Sequence, residues 1–397
     1  MDYGSAFNEK LWARLEKLTP PPFPNDLSDW RRLSIQNEED GYIGAVYFLD
    51  VPWEALREVF MDVGYTLYAR RRYDTSPGAY ILTPPENGKD VIVKLISDGI
   101  DPTGLRELEI LQTLTSGPLK SHPDNQCVPV LEYIRHDKWV FAVFPRWSNC
   151  TEPNFESVGE VLDFCEQVTR TLAFFHKNEI AHLDVAPENI LMNFSGISPS
   201  SRTRQIRDLF PVRYAFIDFG CARMFPADEH APANERLVTD MFIGRPSKAP
   251  ELELQQPYDP FAADVFQTGT FFVSYFYDVS AYIPEFFPLL LSMTAVGGSP
   301  KDRITMSEAH RRFCEIRDGL SLPLRYTLLD IQFMGYLKLR SVSDVVGIRE
   351  YFLKKKIYFA RYQLQDKNRQ VADALFWEDK WPKLELHDHA DERTTST

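Results

Sequence analysis

The sequence has little of what marks secreted, zinc-ribbon or nucleic-acid-binding proteins. Its 397 residues include five cysteines, which are scattered, odd in number and form no C-x-x-C pair. This pattern favours a reducing compartment and predicts no structural zinc. Lysine and arginine total 44 against 57 aspartates and glutamates, a formal net charge of −13. We therefore expect neither nucleic acid nor an anionic membrane as the main partner.

Long uninterrupted apolar runs are also missing. The most apolar stretch, residues 271–296, is broken by Asp278, Pro284 and Glu285, so we expect it to be core and not a membrane span. The N-terminal residues 1–4 lack both a basic–apolar signal pattern and a myristoylation start. Together these features predict an intracellular protein of the cytoplasm or nucleus.

The residues that carry chemistry occur in one short region. In the stretch AHLDVAPEN, Asp184 and Asn189 have the spacing of the motif H-x-D-x-x-x-x-N, and Asp218 opens a D-F-G triplet. Phosphoryl transfer needs metal ions held against phosphates and a carboxylate beside the attacking hydroxyl. The spacing supplies both, although a polar loop between two strands that matches by accident is the alternative.

Two upstream residues fit the same chemistry. Lys94 lies in the branched, alternating segment DVIVKLI, which predicts a strand. Asp101 and Pro102 predict the start of a helix, and leucines at helical spacing, from Leu105 onward, place Glu107 on a defined face. The prediction is an ion pair between Lys94 and Glu107. The alternatives are a solvated edge lysine and an exposed helix charge, as expected for Glu109.

Further motifs follow downstream. Ala249-Pro250-Glu251 forms an A-P-E triplet, and Asp264 opens a D-x-x-x-x-G segment. A buried carboxylate is costly unless it is paired, so we expect Glu251 to pair with Arg303.

These motifs, in this order over residues 91–303, resemble those of the protein kinase family. The resemblance implies ATP and Mg²⁺ as cofactors and an unidentified protein substrate. It implies that Asp184 is the catalytic base and that Asn189 and Asp218 are metal ligands. It also implies that Lys94, oriented by Glu107, contacts the ATP phosphates.

Two further roles follow from the resemblance. Phe144 would guard the adenine pocket, although it would serve equally as a core residue. His182 would be architectural, packing against Phe219 of the D-F-G triplet.

The fold class expected from the resemblance is α+β, a two-lobed kinase-like fold with a small β-rich N-lobe and a larger helical C-lobe. The expected boundaries are an N-terminal extension at 1–62, the N-lobe at 63–147, the C-lobe at 148–320, a helical extension at 321–381 and a disordered tail at 382–397. The likeness is sharper to a divergent group of fungal kinase-like proteins, over roughly residues 50–320, on features such as Gly64-Tyr65-Thr66-Leu67 and Tyr258-Asp259-Pro260-Phe261.

Four departures from the family pattern bear on activity. No G-x-G-x-x-G precedes Lys94, and residues 70–79 offer one glycine, Gly78, for approach to the phosphates. Leu183 replaces an arginine that meets a phosphorylated activation loop, and Ala186 replaces a lysine that contacts the γ-phosphate. A long insertion, residues 194–213, contains four arginines and is expected near the mouth of the active site, as a basic lip or as a bulge without a role.

Three functions are compatible with these residues. The first is an ATP-dependent protein kinase acting on a protein hydroxyl, expected to be serine or threonine. The second is a nucleotide-binding pseudokinase scaffold, suggested by the departures. The third is a small-molecule phosphotransferase, which also uses H-x-D-x-x-x-x-N but is disfavoured by Glu251, Asp264 and Arg303.

Overall fold

The computed structural model of the chain describes the backbone of the kinase-like region and part of what precedes it. The described residues are 23–27, 29, 53, 55–67, 79–83, 89–194, 206–226, 236–239, 248–254 and 256–329. The expected glycine-poor turn at 70–78, residues 330–381 of the predicted helical extension and the tail at 382–397 lie outside them.

The N-terminal half is built on one antiparallel sheet of five strands. Its strands are β1 (Thr66–Leu67), β2 (Ala79–Thr83), β3 (Val91–Ser97), β4 (Glu132–His136) and β5 (Trp139–Pro145). Their order across the sheet is β1-β2-β3-β5-β4. In the centre, Lys94 pairs with Ala142 and Ile92 with Phe144. The predicted strand around Lys94 is therefore confirmed as a central strand.

The alternation of β3 separates two apolar layers. Val91, Val93 and Leu95 are buried in a cluster on one face of the sheet. Lys94, which alternates with them, lies on the opposite face, where Ile96 joins the main core. The same strand thus contributes to the packing of the sheet and carries Lys94, the lysine predicted to contact phosphates.

The outer face of this sheet is covered by residues from before position 63. Helix α1 (Arg57–Asp62) places Phe60 5.3 Å from the ring of Phe141, and Trp53 stacks on Phe60 at 5.8 Å. Trp53 and Phe60 are 1% and 0% exposed, respectively. Because large aromatic rings contribute much of a core's burial energy, this short helix belongs to the packing of the sheet.

Helix α2 (Pro102–Thr115) begins as predicted. The side chain of Asp101 accepts a hydrogen bond from the backbone N–H of Thr103, and Pro102 occupies the first turn. The predicted face is partly wrong, because Leu105 is 43% exposed whereas Glu107 and Ile110 are buried. A close approach sets this face: a Cβ on Gly104 would lie 2.7 Å from the backbone oxygen of Ile96.

The described part of the C-terminal half is mainly helical. Its helices are α3 (Val158–Lys177), α4 (Pro260–Phe276), α5 (Phe286–Thr294), α6 (Met306–Asp318) and α7 (Leu322–Arg325). Short strands are β6 (Ser148–Asn149), β7 (Ile180–Ala181), β8 (Ile190–Met192), β9 (Tyr214–Phe216) and β10 (Arg223–Met224). They form a three-stranded sheet, β6-β8-β9, and a two-stranded sheet, β10-β7.

Helix α3 has a capped N-terminus and one broad buried face. The side chain of Ser157 accepts a hydrogen bond from the backbone N–H of Glu160. The Glu160 carboxylate accepts from the backbone N–H of Glu156. The face that includes Cys165 and Leu172 is fully buried and packs against the other large helices.

In the described part of the insertion, residues 194 and 206–213, a buried arginine anchors the second segment. Arg207 donates to the carbonyl oxygens of Cys150, Pro153 and Asn154 and to the hydroxyl of Tyr214. The segment leaves the β8–β9 hairpin at the end away from Asn189. The expectation of a basic lip is therefore wrong for Arg207, whose charge is buried. Arg213 is exposed, and Arg202 and Arg204 lie outside the described residues.

The chain beyond residue 320 continues to pack on α3 as far as it is described. The backbone N–H of Val158 donates to the oxygen of Thr327, and Leu329 donates to Glu156. A Cβ on Gly159 would lie 2.6 Å from Cγ of Arg325, so glycine permits this close contact. Among the helices in the described part of the chain, none is both long and apolar enough to cross a membrane.

Candidate active site

The loop that carries Asp184 is held from below by a buried carboxylate. Asp264, in the first turns of α4, is fully buried and accepts hydrogen bonds from the backbone N–H groups of His182 (2.8 Å) and Leu183 (2.7 Å). His176 Nε2 lies 2.9 Å from the same carboxylate. Three donors around one carboxylate fix the loop against the helix, because leaving any of these buried groups unpaired is costly.

A second side chain of α4 completes this clamp. Gln267 accepts from the N–H of Val185 at 2.8 Å and donates to the oxygen of Leu183 at 3.2 Å. Leu183 itself has a φ of +61°, a left-handed conformation that is unfavourable for a leucine. Strained backbone of this kind persists only where its surroundings enforce it, and it is concentrated at functional sites.

His182 is architectural, as the resemblance implied. Its ring is fully buried and lies 5.1 Å from the ring of Phe219 and 5.3 Å from that of Phe216. Nε2 lies 3.0 Å from the carbonyl oxygen of Ile217, and Nδ1 lies 3.3 Å from the backbone nitrogen of Asp184. Since a carbonyl can only accept and an amide N–H can only donate, the proton of this imidazole is on Nε2.

Asp184 and Asn189 are joined by the amide group of the asparagine. Asn189 Nδ2 donates to both the backbone oxygen and the Oδ2 atom of Asp184, each at 2.8 Å. The backbone oxygen of Asn189 accepts from Ile217, which connects this loop to the strand before Asp218. The motif spacing therefore produces a closed hydrogen-bonded turn that presents one carboxylate.

Asp218 lies beside the strand that bears Lys94. Its backbone is left-handed, with a φ of +63°, and its side chain accepts from the N–H of Gly220 at 3.4 Å. A Cβ on Gly220 would lie 3.3 Å from Asp218 Oδ1 and 3.5 Å from Glu107 Oε2. Glycine thus lets the turn approach helix α2.

The predicted ion pair between Lys94 and Glu107 is confirmed, and it includes a third member. Lys94 Nζ lies 2.5 Å from Glu107 Oε1 and 2.9 Å from Asp218 Oδ1. The Lys94 ammonium holds the pKa of Asp218 at about 2, below its ordinary value. Burial lowers the pKa of Lys94, but Asp218 and Glu107 outweigh it and raise that pKa. Lys94 and Asp218 are therefore both charged near neutral pH.

Phe144 is buried at 8% exposure on β5, and it belongs to the same core cluster as Ile110 and Phe219. Its side chain lies on the face of the sheet that also carries Lys94, since both residues alternate with the outer layer. This position is compatible with both sequence interpretations of Phe144, and its role at an adenine pocket stays a prediction.

The pairing of Glu251 with Arg303 is confirmed. Arg303 Nη2 lies 2.9 Å from Glu251 Oε2, and Nη1 contacts Oε1, so the contact is bidentate. The guanidinium also lies 4.7 Å from the ring centre of Phe266. Both side chains are at least nine-tenths buried, which is tolerated because the charges satisfy each other.

The departure at Ala186 is visible in the structure. Ala186 is 1% exposed, and its methyl group offers no charge to a phosphate. Two buried cations, Arg223 and Lys248, lie close enough to the Cys221 thiol to affect its pKa, as do Asp184 and Asp218. Desolvation is the main cause of the raised pKa of that thiol, about 11, so Cys221 is a neutral neighbour of the site.

Sequence reasoning missed His176, Gln267 and Lys248. Gln267 could have been found as a second polar residue one turn after Asp264 on an otherwise apolar helix. His176 lies one residue from the end of α3 and gave no periodic signal, since its partner is 88 residues away in the chain. Lys248 directly precedes the A-P-E triplet, but nothing in the sequence indicated its burial.

The region of the chain that carries the candidate site is similar in sequence to known proteins. A family model of the protein kinase domain matches residues 99–283, a range that contains Glu107, Asp184, Asn189 and Asp218. The serine/threonine-protein kinase prpf4B of Dictyostelium discoideum is 23% identical over 201 residues, covering 48% of this chain and 22% of that protein. The dual specificity protein kinase CLK1 of Mus musculus is 25% identical over 242 residues, covering 57% of this chain and 47% of that protein.

The chain therefore spans less than half the length of either relative. Its narrower resemblance to fungal kinase-like proteins stays a prediction. The matched domain and the two-lobed α+β architecture agree with the hydrogen-bonded Asp184 loop and the Lys94 ion pair. On these grounds residues 99–283 of the chain form a protein kinase domain.

Proposed function

We propose that the protein is an ATP-dependent protein kinase that transfers the γ-phosphoryl group of ATP to a protein hydroxyl. The observation that carries the proposal is the linked set of charges in which Lys94 contacts both Glu107 and Asp218. Positioning and charge stabilisation supply most of the catalysis in phosphoryl transfer, and this set supplies both. Lys94 would contact the ATP phosphates, and Phe144 would border the adenine.

The residues present fit a magnesium ion. Asp218 has an ionised carboxylate, and Asn189 donates to Asp184 only through its amide nitrogen, so its amide oxygen is the atom that can ligate a metal. Mg²⁺ prefers oxygen ligands and is commonly bound by one or two such side chains together with phosphates. When bound, it would neutralise charge on the phosphates.

Asp184 is the proposed base. The amide of Asn189 holds its carboxylate, and the clamp from Asp264 and Gln267 holds the backbone on both sides of it. A hydroxyl placed beside Asp184 would pass its proton to the carboxylate as the new bond to phosphorus forms. The names of the two relatives, one serine/threonine-specific and one of dual specificity, support serine or threonine as the acceptor.

A nucleotide-binding pseudokinase is the second candidate, and Ala186 favours it. Loss of one cation at the transition state costs on the order of 10² to 10³ in rate. A small-molecule phosphotransferase is disfavoured by the buried pair Glu251–Arg303 and by the protein kinase names of the relatives.

We place the protein in a reducing, intracellular compartment, either cytoplasm or nucleus. All five cysteines are free thiols. This is typical of proteins that function where disulfides do not persist.

Radiolabelled γ-phosphate transfer to a mixture of protein substrates tests the proposal. Transfer by the wild type that needs Mg²⁺ and falls to background in Asp184→Asn supports a kinase. ATP binding without transfer, equal in both proteins, identifies the pseudokinase. Transfer to small molecules alone would contradict the protein substrate.

A further inference from the structure

Three side chains with metal-binding atoms meet between helices α3 and α6, away from the candidate active site. They are Glu166 of α3 and His310 and Cys314 of α6, and their ligand atoms all lie within 4.8 Å of one another. Cys314 Sγ is 3.8 Å from His310 Nδ1, and the same nitrogen is 3.9 Å from Glu166 Oε1. Separations of this size surround a single metal ion when the ligands turn toward it.

The local structure explains why these atoms meet. His310 and Cys314 are four residues apart on one helix, so they lie on the same face. That face packs on α3, where the Glu166 side chain is 8% exposed and the His310 side chain 26% exposed. The scattered cysteines of the sequence predicted no structural zinc, because a ligand from a second helix, 144 residues from His310, leaves no spacing signal.

The net charge around the cluster is negative, so a bound cation would be balanced there. Arg170 and Arg317 each lie 3.4 Å from Glu166, longer than the roughly 2.7–2.9 Å of a strong charged hydrogen bond. Arg317 contacts Asp318 more closely, at 2.9 Å, and Arg170 also contacts Asp124. The five side chains in these contacts carry a net charge of one negative unit. They are the carboxylates of Glu166, Asp124 and Asp318 and the guanidiniums of Arg170 and Arg317. A Cys314 thiolate adds a second, and a divalent ion balances both.

We propose that Glu166, His310 and Cys314 form a zinc site that joins α3 to α6. Thiolate and imidazole ligands favour zinc over magnesium, and a water molecule would complete four-coordination. On binding, the Cys314 S–H bond breaks, its proton passes to solvent and the sulfur electron pair forms the Zn–S bond. No oxidant or reductant is required. The site would tie the helix that leads to His182 and Asp184 to the end of the large lobe.

Cobalt substitution of the full-length protein tests the proposal. After removal of metal by a chelator, added Co²⁺ should give a thiolate-to-cobalt charge-transfer band and visible bands of tetrahedral intensity. Added Zn²⁺ should remove these bands at about one equivalent. Cys314→Ser should abolish the charge-transfer band. His310→Gln should weaken Zn²⁺ binding by more than about 100-fold, because even outer partners contribute 10- to 100-fold.

Two controls separate this site from others. Cys127→Ser removes a partly buried thiol outside the cluster and should leave the band unchanged. A double substitution, His387→Ala with His389→Ala, removes histidines outside the described residues and should also leave it unchanged. Near-ultraviolet circular dichroism checks folding, and if Cys314→Ser fails to fold, His310→Gln decides. A folded wild type without the charge-transfer band, or a band that survives Cys314→Ser, overturns the proposal. Equal zinc affinity of His310→Gln and wild type does so as well.

Discussion

The two halves of the candidate site are held by different forces. The Asp184 loop rests on Asp264, which is fully buried and satisfied by backbone donors of the same lobe. The Lys94 set rests on charge pairs between the small lobe and Asp218, whose side chain is 46% exposed. The loop is thus part of the folded core, whereas the charge set joins two parts of the molecule through a contact that water reaches.

This difference indicates which part of the site is rigid and which part changes its contacts with solution conditions. Hydrogen bonds buried with the core persist as long as the lobe is folded. Exposed ion pairs are weaker and are screened by salt. We therefore expect the Asp184 loop to be preformed, and the contact of Lys94 with Asp218 to respond to nucleotide, metal and pH.

The largest expected effect comes from breaking the clamp. Asp264→Ala leaves two buried backbone donors and His176 without their acceptor, and should lower the free energy of unfolding by about 3–5 kcal/mol. Denaturant unfolding measures this loss. Asp259→Ala, on the same helix but exposed, removes only an N-cap and should cost about 1 kcal/mol. Equal losses in the two variants would show that the clamp does not differ from an ordinary cap.

The next largest effect concerns Asp218 as a proposed magnesium ligand. Mg²⁺ and ATP, at about 100 times the dissociation constant, should stabilise the wild type by about 2.7 kcal/mol, or about 5 °C in Tm. Asp218→Asn should abolish the magnesium-dependent part of this shift. Asp137→Asn, which changes an acid elsewhere whose side chain is 83% exposed, should keep it. Equal shifts in wild type and Asp218→Asn would remove Asp218 from the metal site.

A smaller effect is expected with pH. Lys94 lowers the pKa of Asp218 from 3.8 to about 2, so the folded state binds this proton less readily than the unfolded state. The ionised carboxylate therefore contributes stability above pH 3.8, and this contribution is lost as the pH falls toward 2. The difference in free energy of unfolding between wild type and Asp218→Asn should be constant above about pH 5. Below pH 4, the wild type should lose stability relative to Asp218→Asn. A constant difference down to pH 2 would contradict the ion pair.

Local signals in the sequence predicted much of the small lobe. The alternation around Lys94 predicted β3, and Asp101 with Pro102 predicted the start of α2. The ion pair of Lys94 with Glu107 followed from the order of motifs. The periodicity of leucines nonetheless predicted the wrong face for Leu105. The close contact of Gly104 with β3 decides which face of α2 is buried, and Leu105 lies outside that face.

Contacts between distant residues could not be predicted in the same way. The clamp joins Asp264 to a loop about 80 residues earlier, and its geometry depends on packing between helices. The packing of Trp53 and Phe60 on the sheet could not be predicted either, because no periodic pattern in the sequence indicated it. Arg207 looked like a surface charge in a polar insertion, but its carbonyl partners are assembled only by the fold.

A single-turnover assay of γ-phosphoryl transfer tests most directly whether the preformed Asp184 loop is catalytic. Three samples are compared under Mg²⁺ and ATP: wild type, phosphatase-treated wild type verified by intact mass, and Asp184→Asn. Because Leu183 cannot pair with a phosphate, we predict equal rates for the first two and a rate lower by about 10² to 10⁴ for the third. A treated protein as slow as Asp184→Asn would show that phosphorylation assembles the loop. Equal background rates in all three would contradict catalysis itself.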